Sequence, residues 1–236
     1  MAIDDLPLPV VNFLNVIGVP WPYIDEDVVL QFASLTREFG QAVRTTHEDA
    51  TRAVHALAEA HQGGSTEAMR SGWGAMSDKH VNEIVTGCDA LAVALEAAAG
   101  YIVAQKAEAT AVLIGMAAAF VADQAAAVAT AGIAEVAAPL IIAGAERLVK
   151  SLIMDLQQHV IGEVIEAAAK PLFAKIGEAM SGLDWSQSGG GGGAAPTRVS
   201  IDPAAIRTQL GIMREHAAQM RQHGARFSMA IGGLGF

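Results

Sequence analysis

Residues 25–57 read DEDVVLQFASLTREFGQAVRTTHEDATRAVHAL, and residues 77–102 read SDKHVNEIVTGCDALAVALEAAAGYI. In the first stretch, Val28, Phe32, Leu35, Phe39, Ala42, Thr46, Ala50, Ala53 and Leu57 recur at steps of three and four. That spacing is one stripe along a helix of about 37 residues, roughly 55 Å long at 1.5 Å per residue. Arg37, Arg44, Asp49, Arg52 and Glu59 occupy the opposite face. Asp25 reads as the N-cap, with Glu26 and Asp27 in the first turn, where the helix dipole favours negative charge. In the second stretch, Val81, Ile84, Cys88, Leu91, Leu95, Ala98 and Ile102 repeat the same period, and Ser77 reads as an N-cap. Between the two, Gly63-Gly64 reads as the end of the first helix, and Gly72-Trp73-Gly74 as an interruption at the corner. Two narrow seams joined by a short glycine-bearing connection pack most simply as an antiparallel hairpin.

The rest of the 236 residues agrees with a helical chain. Hydrophobic residues make up 52%, but aromatics only 5% and charged residues 17%, so the apolar content is mostly alanine. Alanine has the best helix propensity, and a shortage of Tyr, Thr and Trp argues against sandwiches and barrels. Residues 1–24, with four of the eight prolines, read as an extended lead-in. They lack the basic and apolar regions of a signal peptide, so export is expected to follow another route. Residues 107–145 are apolar nearly all round, with Gly132 and Pro139 as expected breaks. The uncharged runs between Glu108, Asp123, Glu135 and Glu146 fall short of the ~18 to 20 residues that span a bilayer. Buried packing is therefore expected, with membrane contact through residues 109–145 as the alternative.

From Glu146 to Met180 the pattern is amphipathic again: Val149, Leu152, Leu156, Val160, Val164 and Ala168 share a side, and Pro171 should kink or restart the helix. Ser186 to Pro196, with five consecutive glycines, reads as a linker. Asp202-Pro203 starts a last helix, Asp at the N-cap and Pro at N1. Its seam is Ile206, Leu210, Met213, Ala217, Met220, Gly224, Phe227 and Ile231, with Arg207, Arg214 and Arg221 seven residues apart beside it. Such a helix is marginal alone and needs an apolar, preferably acidic, partner surface. The expected fold is all-α: a long antiparallel helical hairpin extended into an elongated bundle, then a Gly-rich linker and a C-terminal helix. The expected boundaries are 1–24 for the lead-in, 25–185 for the bundle, 186–200 for the linker and 201–236 for the amphipathic helix.

Signs of catalysis are absent from the sequence. The net charge of −10 argues against nucleic acid as a partner. The single Cys88 excludes an internal disulfide and any paired-cysteine metal site. His47-Glu48-Asp49-Ala50-Thr51 begins like a zinc-protease motif, but Thr51 stands where the second ligand belongs. The glycine run leads into Ala194-Ala195-Pro196 and lacks the Lys-Ser/Thr of a phosphate loop. No catalytic, cofactor or metal residue is expected. Trp73 is informative because aromatics are scarce. Between Gly72 and Gly74 at a helical corner, it is expected to close the hairpin and to form a recognition end.

These features resemble a family. A two-helix hairpin, a Trp/Gly element between its arms and an Ala-rich acidic composition are similar to the WXG (Esx-like) superfamily of type VII secretion substrates. The closer resemblance is to the long WXG-like N-terminal domains of actinobacterial polymorphic toxins, the CpnT-like type. It is carried by Trp21-Pro22-Tyr23-Ile24-Asp25-Glu26-Asp27 before the first helix, the apolar stretch after the hairpin, and Ser200-Ile201-Asp202-Pro203-Ala204-Ala205-Ile206-Arg207 after the linker. Departures are visible. The family turn is Trp-X-Gly, whereas here Gly74 follows Trp73 directly, and Tyr101 has Gln105 where the family's export signal has an acid. The resemblance implies a non-enzymatic secretion substrate or targeting domain that pairs with a small WXG-type partner, engages the type VII machinery and carries or associates with a toxin effector. It implies export to the outside or the cell surface from the cytoplasm. A membrane-active or channel-forming helical module is the alternative. On the residue pattern, Arg207, Arg214, Arg221, Leu210, Met213 and Phe227 are the candidate partner-binding side chains.

Overall fold

A computed structural model describes residues 6–22, 24–60, 64–130, 137–181 and 203–234. The chain is all-α, and no strand occurs among the described residues. The elements are α1 (Leu8–Ile17), α2 (Glu26–Ala60), α3 (Gly64–Ala129), α4 (Ala138–His159), a π-helical stretch (Val160–Ala169), α5 (Lys170–Ser181) and α6 (Pro203–Gly232). They form two compact units. One holds α1, the start of α2 to Gln31, α3 from Ala94, α4 and the π-helix to Glu166; the other holds α2 from Phe32, α3 to Val93, and the chain from Ala167 to Leu234.

Residues 8–17 form a helix, so the expected extended lead-in is corrected. Pro7 precedes the first turn and Pro9 lies within it, where a missing N–H costs nothing, and Gly18 closes α1 in the left-handed conformation at φ 71°. Asp25 caps α2 as its sequence predicts: its carboxylate accepts from the N–H of Asp27 at 2.9 Å.

In the second unit α2 and α3 pack antiparallel. Thr51 meets Trp73, His47 meets Ser77, and Arg44 meets Asp89 at 3.7 Å, so the α3 number rises as the α2 number falls. At Gly40 the two helices approach closely, since a Cβ there would stand 3.0 Å from Cys88 Cβ. The most buried line on α2 is Val29, Ala33, Thr36, Gly40 and Val43, one residue beyond the predicted stripe of Val28, Phe32, Leu35, Phe39 and Ala42, which is half-buried. Small side chains admit the neighbouring helix, and the larger ones flank the seam. On α3, Cys88, Leu91, Leu95, Ala98 and Ile102 are buried as the pattern requires.

Two expectations on α3 are overturned. Gly72-Trp73-Gly74 does not interrupt the helix; α3 is continuous from Gly64, and the connection to α2 falls at residues 61–63, outside the described residues. Ser77 is accordingly no cap but a buried interior residue, with Oγ 2.8 Å from His47 Nε2. An interior glycine costs a helix about 1 kcal/mol, which the anchoring of Trp73 and Ser77 on α2 outweighs.

In the first unit α1 and α4 lie against distal α3. Phe13 meets Phe120 with ring centroids 5.3 Å apart, and Asp123 caps α4 by accepting the Ala138 N–H at 3.0 Å. Pro139 sits in the first turn of α4, the break its sequence predicts; Gly132 lies outside the described residues. Val149, Leu152, Leu156, Val164 and Ala168 are buried, and Val160 is half-buried. The π-helical bonding runs up to Lys170, just ahead of Pro171, whose ring and missing N–H disturb the ordinary ladder. The expected linker at 186–200 lies outside the described residues.

Candidate functional site

Three polar clusters and two surfaces stand out against this apolar framework. The first cluster surrounds Trp73. Its indole N–H donates to Thr51 Oγ1 at 3.0 Å, and its ring stacks on His47 with centroids 5.7 Å apart at 13°. His47 Nε2 also lies 3.4 Å from Thr51 Oγ1. The half-buried Trp73 is thus a clamp between α2 and α3 and is seated inside a helix, not on a turn. Gly72 and Gly74 face open space: a Cβ at either would meet nothing within 4 Å. Their pairing with Trp73 therefore reflects no close backbone contact in this structure.

The second cluster is a buried ion pair in the first unit. Lys106, 1% exposed, places Nζ 3.0 Å from Glu26 Oε2 and donates as well to the carbonyl of Ile24. Two charges leave water only where each is paired and hydrogen-bonded. The pair thereby fixes Ile24 and Glu26 against distal α3, and Trp21 nearby in sequence is 1% exposed. Sequence reasoning passed over this pair. Its signal was present: Lys106 is the sole cation between Lys79 and Arg147.

In the third cluster, Tyr101 donates to the carboxylate of Asp155 on α4 and stacks on His159, with centroids 3.8 Å apart. The hydrogen bond to Asp155 raises the phenol's pKa, with smaller contributions from burial and from the nearby carboxylates. The carboxylate beside Tyr101 thus comes from another helix, while Gln105 holds the position four residues on.

Cys88 is buried against Gly40, and burial, then the neighbouring Asp89, pushes its thiol from 9.0 to about 11. It is a protonated packing residue, not a nucleophile. No three His, Cys, Asp or Glu side chains converge as a metal site among the described residues. A groove of about 380 Å³ between α3 and α5 is lined by Glu83, Thr86, Gly87, Pro171, Leu172 and Lys175, with Lys175 Nζ 3.6 Å from Glu83.

The first surface is the tail. Helix α6 lies along α2: Phe227 stacks on Phe39 with centroids 4.6 Å apart at 14°, and His223 Nε2 is 3.1 Å from Thr46 Oγ1. Of the six candidate partner-binding side chains, Phe227 is therefore engaged within this chain and Met213 is half-buried. Leu210 is 45% exposed, and Arg207, Arg214 and Arg221 face solvent.

The second surface is the outward side of α3 over residues 109–122. Ala111, Val112, Ile114, Gly115, Ala118, Ala119, Val121 and Ala122 are all exposed, and no charge interrupts them. Buried packing thus holds on one side only, through Ala109, Leu113 and Ala117, because α1 and α4 cover one face of α3. The segment His80–Ala129 is long and apolar enough to cross a membrane, and 17% of its eighteen-residue apolar window is buried.

The sequence pattern of the WXG100 like domain matches residues 5–146, well over half of the chain. The chain belongs to the WXG100-like domain family. Membership relates it to the helical proteins of type VII secretion, whose domains are typically non-enzymatic and act in hetero-oligomers with the secretion machinery. The WXG100-like match takes in α1, the hairpin of α2 and α3, and the start of α4, so it begins ahead of the domain start expected at residue 25. No curated protein and no solved structure matches the chain.

Proposed function

We propose that this chain is a non-enzymatic targeting domain of a type VII secretion substrate. It pairs with a small WXG-type helical partner and carries or associates with a toxin effector, as in the polymorphic toxins of actinobacteria. The supporting observation is the WXG100-like match over residues 5–146, which coincides with the antiparallel α2/α3 hairpin clamped by Trp73. Export then proceeds from the cytoplasm by the type VII route to the outside or the cell surface. The reading is tested by secretion from strains with and without the type VII ATPase, alongside co-expression with a small WXG-type protein. ATPase-dependent release and a stable complex are expected. Release that does not depend on the ATPase overturns the reading.

The charge-free outward face of α3 over residues 109–122 favours a second reading, a membrane-active or channel-forming module. A helix exposing only apolar side chains is stable where something apolar covers it. Flotation with liposomes separates the two: a targeting domain stays in the aqueous fraction, and a membrane-active module rises with the lipid.

A further inference from the structure

Helix α6 carries four arginines against the single acid Glu215, in a chain whose net charge is −10. Its docking on α2 through Phe227 and His223 leaves the far side outward. That side presents Arg207, Gly211, Arg214, Ala218, Arg221 and Ala225, all exposed. Seven residues advance a helix by about 10 Å and almost two full turns, so the three guanidinium groups stand in one row. The small side chains between them leave room for a second helix to approach. Arg207 Nε donates to its own helix at Pro203 O, 3.0 Å away, and no ion pair engages the three arginines among the described residues.

We infer that this row is a docking surface for a helix of a partner protein that presents carboxylates at the same seven-residue spacing. The inference deepens the proposed pairing and rests on the chain having a helical partner. Charge complementarity selects the occupant. Guanidinium groups bind carboxylates in paired hydrogen bonds, and their row matches one helical face. Extended polyanions such as nucleic acids or anionic bilayers feel the repulsion of the whole acidic chain, whereas a single helix meets only the local row within the roughly 10 Å range of electrostatics at 0.1 M salt. A second copy of α6 would set arginine against arginine.

The test uses the full chain and two alanine-based helical peptides of equal composition, one with Glu at every seventh position and one with the same Glu residues dispersed around the helix. Fluorescence anisotropy should show the in-register peptide binding about tenfold more tightly, the difference that three helical ion pairs supply together. Changing Arg207, Arg214 and Arg221 together to Glu should abolish that binding with an unchanged melting curve, since all three are exposed. The Gln versions should weaken it. Equal binding of the two peptides, unimpaired binding by the Glu variant, or stronger capture by heparin or phosphatidylglycerol vesicles overturns the inference. Co-purification with the small partner separates the two levels. A complex that survives the triple Glu change refutes the arginine row and leaves the pairing intact. Absence of any complex with the unaltered chain refutes the pairing.

Discussion

Gly40→Ala sets two effects of opposite sign against each other where α2 closely approaches Cys88 of α3. Inside a helix, alanine is favoured over glycine by about 1 kcal/mol. At Gly40, however, the added methyl would stand 3.0 Å from Cys88 Cβ and 3.7 Å from its Sγ. That is tighter than an ordinary carbon–carbon contact, so the neighbour must give by a few tenths of an ångström. The atom encountered is the root of the Cys88 side chain, fixed to the α3 backbone, and rotation of a flexible tip cannot relieve it. Relief requires α2 and α3 to part along the line that buries Ala33, Thr36 and Val43. Overpacking of this kind costs about 1–3 kcal/mol. The balance is a net loss of about 1 kcal/mol. Gly100→Ala and Gly115→Ala are the controls, because a Cβ at either meets nothing within 4 Å. Each should gain about 0.5–1 kcal/mol. Gly87→Ala falls between, since its Cβ would meet the tip of Leu172, Cδ1, at 2.6 Å, and that tip can rotate. Urea unfolding followed by circular dichroism at 222 nm gives the ranking. Cys88→Gly combined with Gly40→Ala should show favourable coupling, while Cys88→Ala, which keeps the offending Cβ, should show none. If Gly40→Ala stabilises as much as Gly115→Ala, the helices do not meet at Gly40 and the hairpin geometry is wrong.

Trp73→Phe keeps a ring beside His47 and loses the donor to Thr51, so it should cost about 1 kcal/mol, with little further loss when Thr51→Ala is added; additive losses would mean that the indole and hydroxyl do not interact. Lys106→Met removes the cation from a buried pair and should destabilise by about 3–5 kcal/mol, with much of the loss recovered by adding Glu26→Leu. A single variant that melts like the unaltered chain would refute the buried pairing. Cys88 supplies a pH dependence. Its folded thiol titrates at about 11, above the ordinary 9.0, so the thiol form is favoured by folding. That contribution is full below about pH 9 and is lost as pH rises through about 11. The melting temperature should therefore fall more steeply over this range than in Cys88→Ala, and identical falls in both would count against the shift.

The periodicity of α2 and α3 made the hairpin legible, because apolar steps of three and four leave no other regular element. It did not fix the register. On α2 the large residues Phe32, Leu35 and Phe39 mark the stripe, whereas the most buried line runs through Ala33, Thr36 and Gly40. Size signals hydrophobic content, but close approach of two helices is governed by what is small. The same limit explains the Gly72-Trp73-Gly74 misreading. Two glycines in three residues look like a break when propensity is counted locally. The gain that keeps α3 continuous comes from Thr51 and His47, more than twenty residues away in sequence.

The clusters were less legible than the fold for a related reason. The pairs Glu26–Lys106, Tyr101–Asp155 and Thr46–His223 join residues 80, 54 and 177 positions apart. Each partner alone reads as an ordinary solvated side chain. Only Lys106 carried a local mark, because a lone cation inside an apolar helix must either face water or find an acid. The arginines of α6 show the converse. Their seven-residue repeat was plain in the sequence, but the direction they face depended on which side of the helix Phe227 took to α2. With that side occupied, the repeat is a row of outward charges on a helix held in place from behind. A surface built this way keeps its spacing without a partner present, so an acidic helix in register would meet a preformed row and lose little freedom of this chain on binding.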